Sequence, residues 1–413
     1  MNFNLTDTQK KVLYVTAMLV VAAFFGFLIY VLFFKAPKEE YVNINGNMVP
    51  ITVFPEINLN LNIGVSVENV NAFEGIPAIS SVANGGNTLA ETILPEAAQD
   101  ATLAANGQDM QYYNAEDGKF YTVNADGEIV SLSDEAFKGV EKVNWSNNSN
   151  QAVLEFQDGY NLYYDFQKKQ QYTLPKEMEE FTFSPNNDKI GYKYMALDEE
   201  DRWLGTINPD GSDPKGIERL GENGDKVQVS WSPSGKAIAT YNDYMDGDRQ
   251  KVIPIGLNGE NYKQMTVEGR DFNYQWSPDG KQMIYSVFGS YSDFKPTLWV
   301  VDAEGDAIGN NRVPLEIDTW VDKCTFGTGS TAYCAVPNDL PTGAGYNKDI
   351  ANDTPDSIYK IDIKTGTKSL IAVPTSATGT SAYTVDSMNI SADGTYLYFT
   401  DKAEKNIHKI KLK

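Results

Sequence analysis

The chain has 413 residues, with 34 Lys and Arg against 56 Asp and Glu, a formal net charge of -22 and a single histidine. A negative field of this size argues against the phosphate-backbone binding on which nucleic-acid proteins rely. One histidine and two cysteines do not supply the ligands of a zinc site.

Taken in order, residues 1–11 form a short polar tail ending in Lys10 and Lys11. Residues 12–34 carry no charge, and at 1.5 Å per residue they are long enough to cross a bilayer as one helix. Lys10 and Lys11 on one side balance Lys35 and Lys38 on the other, so flanking charge does not fix orientation. The short tail and long acidic body favour a cytoplasmic N-terminus with the body on the extracytoplasmic side. A cleaved signal peptide is the alternative. Its apolar region would be about twice the usual length, and Phe33-Phe34-Lys35-Ala36 is a poor cleavage site. Residues 35–86 are Asn- and Pro-containing and read either as a stalk or as a small β segment, with period-two alternation over Asn58 to Ile63.

From residue 87 onward one frame recurs. Its clearest copy runs Trp276-Ser277-Pro278-Asp279-Gly280-Lys281 and continues into the strand-like Gln282 to Phe288 and Thr297 to Asp302. A bulky residue closes an inner strand a, a tight turn follows, then strands b, c and d, with Asp-Gly and Asn-Gly pairs at the hairpins. The anchor position is filled by Leu103, Trp145, Phe183, Trp231, Trp276, Phe326 and Ile390. Four short strands per unit cannot bury both faces alone, whereas seven units arranged radially can. The expected fold is therefore all-β: a seven-bladed β-propeller of four-stranded antiparallel blades over residues 87–413, preceded by one transmembrane helix. The turns closing the hairpins are too short for crossover helices, and a two-sheet sandwich does not explain seven copies of one frame. The seventh copy reaches only strand c at Ile407 to Ile410. Its outer strand is expected from residues 89–94, which would protect an otherwise open edge.

The frame WSPDGK…LWVxD…G resembles the WD40-like repeats of TolB-type β-propellers and of the propellers that cap prolyl oligopeptidases. The resemblance covers about residues 88–413 and implies a scaffold that binds proteins or peptides on one face, or one that gates an attached hydrolase. No G-x-S-x-G nucleophile elbow is present.

His408 lies on strand c of the last unit and reads as a solvent-side or blade-edge residue, so the sequence identifies no catalytic residues. Cys324 and Cys334 flank the turn of the sixth unit five residues to either side of its centre. They should face each other on strands a and b, either as a disulfide or as a pair of buried thiols. The b–c connections are long and acidic: Asp198, Glu199, Glu200, Asp201 and Arg202; Asp243, Asp246 and Asp248; Tyr291, Asp293 and Phe294; Asp339, Asp349 and Asp353. They read either as solvating charge or as a recognition face for a protein, peptide or cell-envelope partner. The function expected is non-catalytic binding or scaffolding without a cofactor. The alternatives are a carbohydrate-active or hydrolytic propeller using channel carboxylates, and an adhesion module whose acidic loops hold Ca²⁺.

Overall fold

The computed structural model describes residues 79–379 and 382–413, and the backbone of two short strands, Tyr41–Ile44 and Asn47–Pro50. The candidate span at 12–34, the tail before it and most of 35–86 lie outside the described residues. Among the described residues no helix is long and apolar enough to cross a membrane. The chain divides into two units, Met1–Ala72 and Phe73–Lys413. In the first, the two short strands pair as an antiparallel hairpin, with Tyr41 opposite Pro50.

The second unit is a seven-bladed propeller of antiparallel, four-stranded blades, one of which gains a fifth strand. The inner strands, in blade order, are Gln99–Leu103, Val140–Trp145, Met178–Phe183, Val227–Val229, Arg270–Trp276, Cys324–Phe326 and Val385–Ile390. Six anchors are the last residue of strand a; the seventh, Trp231, lies just past Val229. The serine after the anchor has a structural task. Ser277 Oγ accepts the backbone N–H of Gln282 at 3.0 Å and donates to Asp279 Oδ1 at 2.7 Å. Ser146, Ser184, Ser232 and Ser391 clamp their own turns in the same way, each accepting the N–H five residues on. Gly280 needs its positive φ of 68° and its missing Cβ, which would lie 2.6 Å from the Ser234 backbone N. The turns of blades 4 and 5 therefore nest against each other without a side chain between them.

The core is a series of clusters between neighbouring sheets. Met265, Phe272, Trp276, Met283 and Val301 join blades 4 and 5. Ile284, Leu298, Cys324, Cys334 and Ile361 join blades 5 and 6.

Ring closure uses two strands from before blade 1. Glu91–Leu94 pairs antiparallel with strand c of blade 7, Ile407–Lys411, setting Leu94 opposite Ile407 and Thr92 opposite His408. Gly86–Leu89 runs parallel to the outer strand of blade 6, Lys368–Thr375. The sequence run at 89–94 thus splits at Ala90, with its first residue serving one blade and its last four the next. This arrangement corrects the placement of His408, which is 3% exposed rather than solvent-facing. Its Nδ1 lies 3.1 Å from the Thr92 hydroxyl and its Nε2 lies 3.1 Å from Asp401 Oδ2. Phe399 and Tyr383 pack on the ring. The closing strand covers the imidazole, and both ring nitrogens find partners.

In blade 6, Cys324 pairs in register with Cys334, and the two are joined by a disulfide. Nearby, Lys323 and Asp356 form an ion pair at 2.7 Å with side chains 5% and 0% exposed. Asp356 also accepts the N–H of Val385, the first residue of strand a in blade 7, at 2.6 Å. This pair welds blade 6 to blade 7. Burial pushes the Asp356 carboxyl above the usual range, against the pull of Lys323.

Candidate functional site

In a blade that runs outward from a to d, the b–c and d–a connections emerge at one end and the a–b and c–d turns at the other. All the acidic loops singled out in the sequence are b–c connections and share that first end. Much of their charge is answered locally. Asp243 pairs with Lys226 at 3.1 Å and Lys251 at 3.3 Å. Asp246 pairs with Arg249 at 2.6 Å, Asp248 with Arg270 at 3.6 Å, and Glu199 with Arg202 at 3.5 Å. Asp198 caps the 3-10 turn Glu199–Asp201 by accepting the N–H of Glu200. Asp349 accepts from the Asn352 side chain. Asp339 lines a shallow recess with Lys295 and Lys368, and Asp353 is exposed.

The loops of blades 4, 5 and 6 are drawn together by residues that the sequence reading passed over. Arg270, at the start of strand a in blade 5, donates to the Gly247 carbonyl and to the Tyr346 hydroxyl, the latter at 3.2 Å. Its guanidinium lies over the Tyr346 ring. Tyr346 sits in the long b–c insertion of blade 6 and packs edge-on against Phe288 and beside Phe294 of blade 5. The same insertion donates Gly343 N–H to Asp293 O at 2.9 Å and Gly345 N–H to Phe294 O at 2.8 Å. A Cβ on Gly345 would meet Phe288 at 2.3 Å, so only glycine allows this approach. Trp320, Leu340, Ala344 and Ala351 give the insertion its own small core. These loops form a fixed rim, with Tyr291 and Asp293 exposed and Phe294 half-buried.

The rim also carries most of the exposed large apolar side chains. Leu197, Tyr244, Met245, Tyr291, Tyr346 and Ile350 are all at least 48% exposed. They lie on the b–c connections of four consecutive blades, 3 to 6.

Similarity to known proteins is confined to fold. No family model matches the sequence, and no curated protein matches it. The β-propeller domain of Myceliophteria thermophila Cps50 (Swd1) is similar at 10% identity and a TM-score of 0.52, over 78% of this chain and 98% of that one. The tricorn protease (12% identity, TM-score 0.48, 78% of this chain and 34% of that one) and an oligogalacturonate lyase in complex with manganese (11%, 0.47, 78% and 90%) are more distant. Activities at these distances do not transfer.

The second feature at this end is an acidic collar at the start of the inner strands. In five blades strand a slips register near its first residues, and an acid occupies the slip: Asp100, Glu141, Glu180, Asp271 and Asp386. Asp100, Glu180 and Asp271 adopt positive φ of 48°, 53° and 54°. Two of these acids brace the ring. Asp100 accepts the N–H of Val143 in blade 2 at 2.8 Å, and Glu180 accepts that of Val229 in blade 4 at 3.3 Å. Between blades 7, 1 and 2 the collar borders a cavity of about 650 Å³, lined by Glu96, Asp100, Glu116 and Asp386 with Lys405, above a floor that includes Ala98, Ala101 and Trp145. Burial pushes the Asp100 carboxyl above the usual range, outweighing its hydrogen bonds from Val143 and Gln99. Burial acts on Asp386 in the same sense, but hydrogen bonds from Lys405 at 2.6 Å and Lys402 at 2.9 Å outweigh it and hold that carboxyl low. Among the described residues no group of three or more His, Cys, Asp or Glu is placed to hold a metal ion.

Proposed function

We propose that this chain is a binding scaffold whose b–c face recognises a protein or peptide partner. One observation carries the reading: six large apolar residues that are at least 48% exposed gather on the b–c connections of blades 3 to 6, and the loops of blades 4 to 6 are held together by the Arg270–Tyr346 contact and by backbone hydrogen bonds. Exposed aromatic side chains held rigid and rimmed by charge are the composition of an interface core. Several rim acids, among them Asp243, Asp246 and Asp248, are paired, so their role is orientation and exclusion of wrong partners more than net attraction. We further propose that residues 12–34 anchor the chain in a membrane with the propeller on the extracytoplasmic side. The Cys324–Cys334 disulfide supports that placement, since such bonds persist in oxidising compartments.

The test is crosslinking and affinity capture from membranes with the full chain. A partner recovered in stoichiometric amount by the wild type should be lost with Tyr244→Asp or Tyr346→Asp. It should be retained with Val130→Asp, an equally exposed apolar residue on the outer strand of blade 1. Equal recovery by all three variants, or recovery of no stoichiometric partner, would refute the reading.

A further inference from the structure

The cavity between blades 7, 1 and 2 lies apart from the apolar rim of blades 3 to 6, and its chemistry is different. Its size falls within the range of sites for small ligands or single large side chains, roughly 300–1,000 Å³. Its floor is built from small apolar residues and one face of Trp145, whose indole N–H is held by the Asp100 carbonyl at 2.7 Å. Its charge is unbalanced. Lys405 is engaged by Asp386 at 2.6 Å. Lys142, the other cation that acts on Asp100, is engaged by Glu155 at 3.6 Å. Among the described residues Glu96, Asp100 and Glu116 have no ion-pair partner. Glu96 accepts the Tyr112 hydroxyl at 2.9 Å, and Asp100 keeps the Val143 N–H. We propose that this cavity binds an organic cation, a guanidinium or primary ammonium group on a short aliphatic stem, with the stem against Trp145 and the alanines and the charge between Asp100 and Glu116.

The physical argument is complementarity. Three carboxylates without an ion pair border one cavity and give it a negative potential that a positive counter-charge would neutralise. A cation with an apolar stem supplies that charge and also covers the floor. Metal ions supply no apolar surface, and anions meet three unpaired carboxylates. Asp100 is held in place by its bulged backbone and by Val143, so little ordering is required on binding. The inference rests on the cavity and does not depend on the rim reading.

The experiment is calorimetric titration of the full chain, in a non-ionic detergent, with agmatine, with the tripeptide Gly-Arg-Gly and with the uncharged isostere butylurea. Agmatine or the tripeptide should bind saturably and butylurea should not. Asp100→Asn and Glu116→Gln should each weaken binding about tenfold or more, the scale of a lost hydrogen bond to a charged group. Asp100→Asn retains an acceptor for Val143, so the ring stays intact, which circular dichroism would confirm. Tyr346→Asp should leave the affinity unchanged, separating this site from the rim. Tighter binding of the tripeptide would assign the cation to a partner's side chain, and tighter binding of agmatine to a free amine. Binding of butylurea as tight as agmatine, unchanged affinity in both carboxylate variants, or no saturable heat would overturn the proposal.

Discussion

Leu94 offers the most direct test of how the ring is closed. It is 0% exposed, lies opposite Ile407 in the closing pair, and packs with Met110, Tyr112, Val123 and Tyr398, which belong to blades 7 and 1. Leu94→Ala removes three carbon groups at about 0.8 kcal/mol each, or roughly 2.4 kcal/mol of transfer free energy. The hole cannot fully collapse, because blade sheets on both sides hold its walls, so a cavity term brings the total to about 3–4 kcal/mol. Against a net stability of about 5–15 kcal/mol this is a large fraction. Urea unfolding followed by tryptophan fluorescence should show the midpoint falling with little change in slope. Leu197→Ala, at a residue 102% exposed, should change stability by less than about 0.5 kcal/mol. If Leu94→Ala costs less than about 1 kcal/mol, the strand Glu91–Leu94 does not close the ring in solution, and blade 7 is completed in some other way.

Other outcomes follow from the same contacts. Reduction of Cys324–Cys334, which are 10 residues apart, should cost about 2–3 kcal/mol if chain entropy governs, seen as a lower melting temperature in dithiothreitol. Asp356→Ala should cost about 3–5 kcal/mol because it strands the buried Lys323 ammonium, whereas replacing both partners by apolar residues should cost less; denaturant curves of the three variants decide it. Two of the cavity carboxylates, Asp386 and Asp100, should respond to pH with opposite sign. The folded-state pKa of Asp386 is depressed, so its stabilisation is present above the unfolded value of 3.8 and lost as pH falls through the folded value. Asp386→Asn should therefore lower the melting temperature at pH 7 and have little effect in acid. The folded-state pKa of Asp100 is raised, so stability falls as pH rises from 3.8 through the folded value. Asp100→Asn should raise the melting temperature at pH 7, with the difference vanishing in acid. The same sign for both substitutions would refute the assignment.

What was legible in the sequence was local and repeated. Each anchor ends or closely follows an inner strand, because a bulky residue, a clamping serine and a positive-φ glycine sit within six residues and need no distant partner, as in Trp276, Ser277 and Gly280. The opposition of Cys324 and Cys334 followed from the same frame, since hairpin register is fixed by its turn. The pairing of Gly86–Leu89 with blade 6 was not legible, because a parallel partner for an outer strand leaves no turn signal. His408 was misread for a related reason: its burial depends on Thr92, more than 300 residues away in the chain.

The site was less legible, and the reason lies in the register slips. The collar acids stand three residues before Leu103 and Phe183, four before Trp145 and Ile390, and five before Trp276. A fixed-spacing frame averages such a signal away. In the folded ring the bulge absorbs the difference, and the acids recur at the start of strand a. Two of them show why a carboxylate suits that place: Asp100 and Glu180 satisfy an inner-strand N–H of the next blade, which lacks a ladder partner there. The register slips thus set an acid at the start of strand a in five blades, and in two of them that acid braces a neighbouring inner strand. Where a neighbouring cation is available, as for Glu180 with Lys193 and Asp386 with Lys402 and Lys405, the charge is neutralised. At Asp100 no ion pair forms and a cavity opens beside it. On the proposal above, Asp100 binds a cation because, unlike Glu180 and Asp386, it has no lysine paired with it. Introducing that lysine at Ala101 or Thr102, within reach of Asp100, should abolish agmatine binding while leaving the fold unchanged.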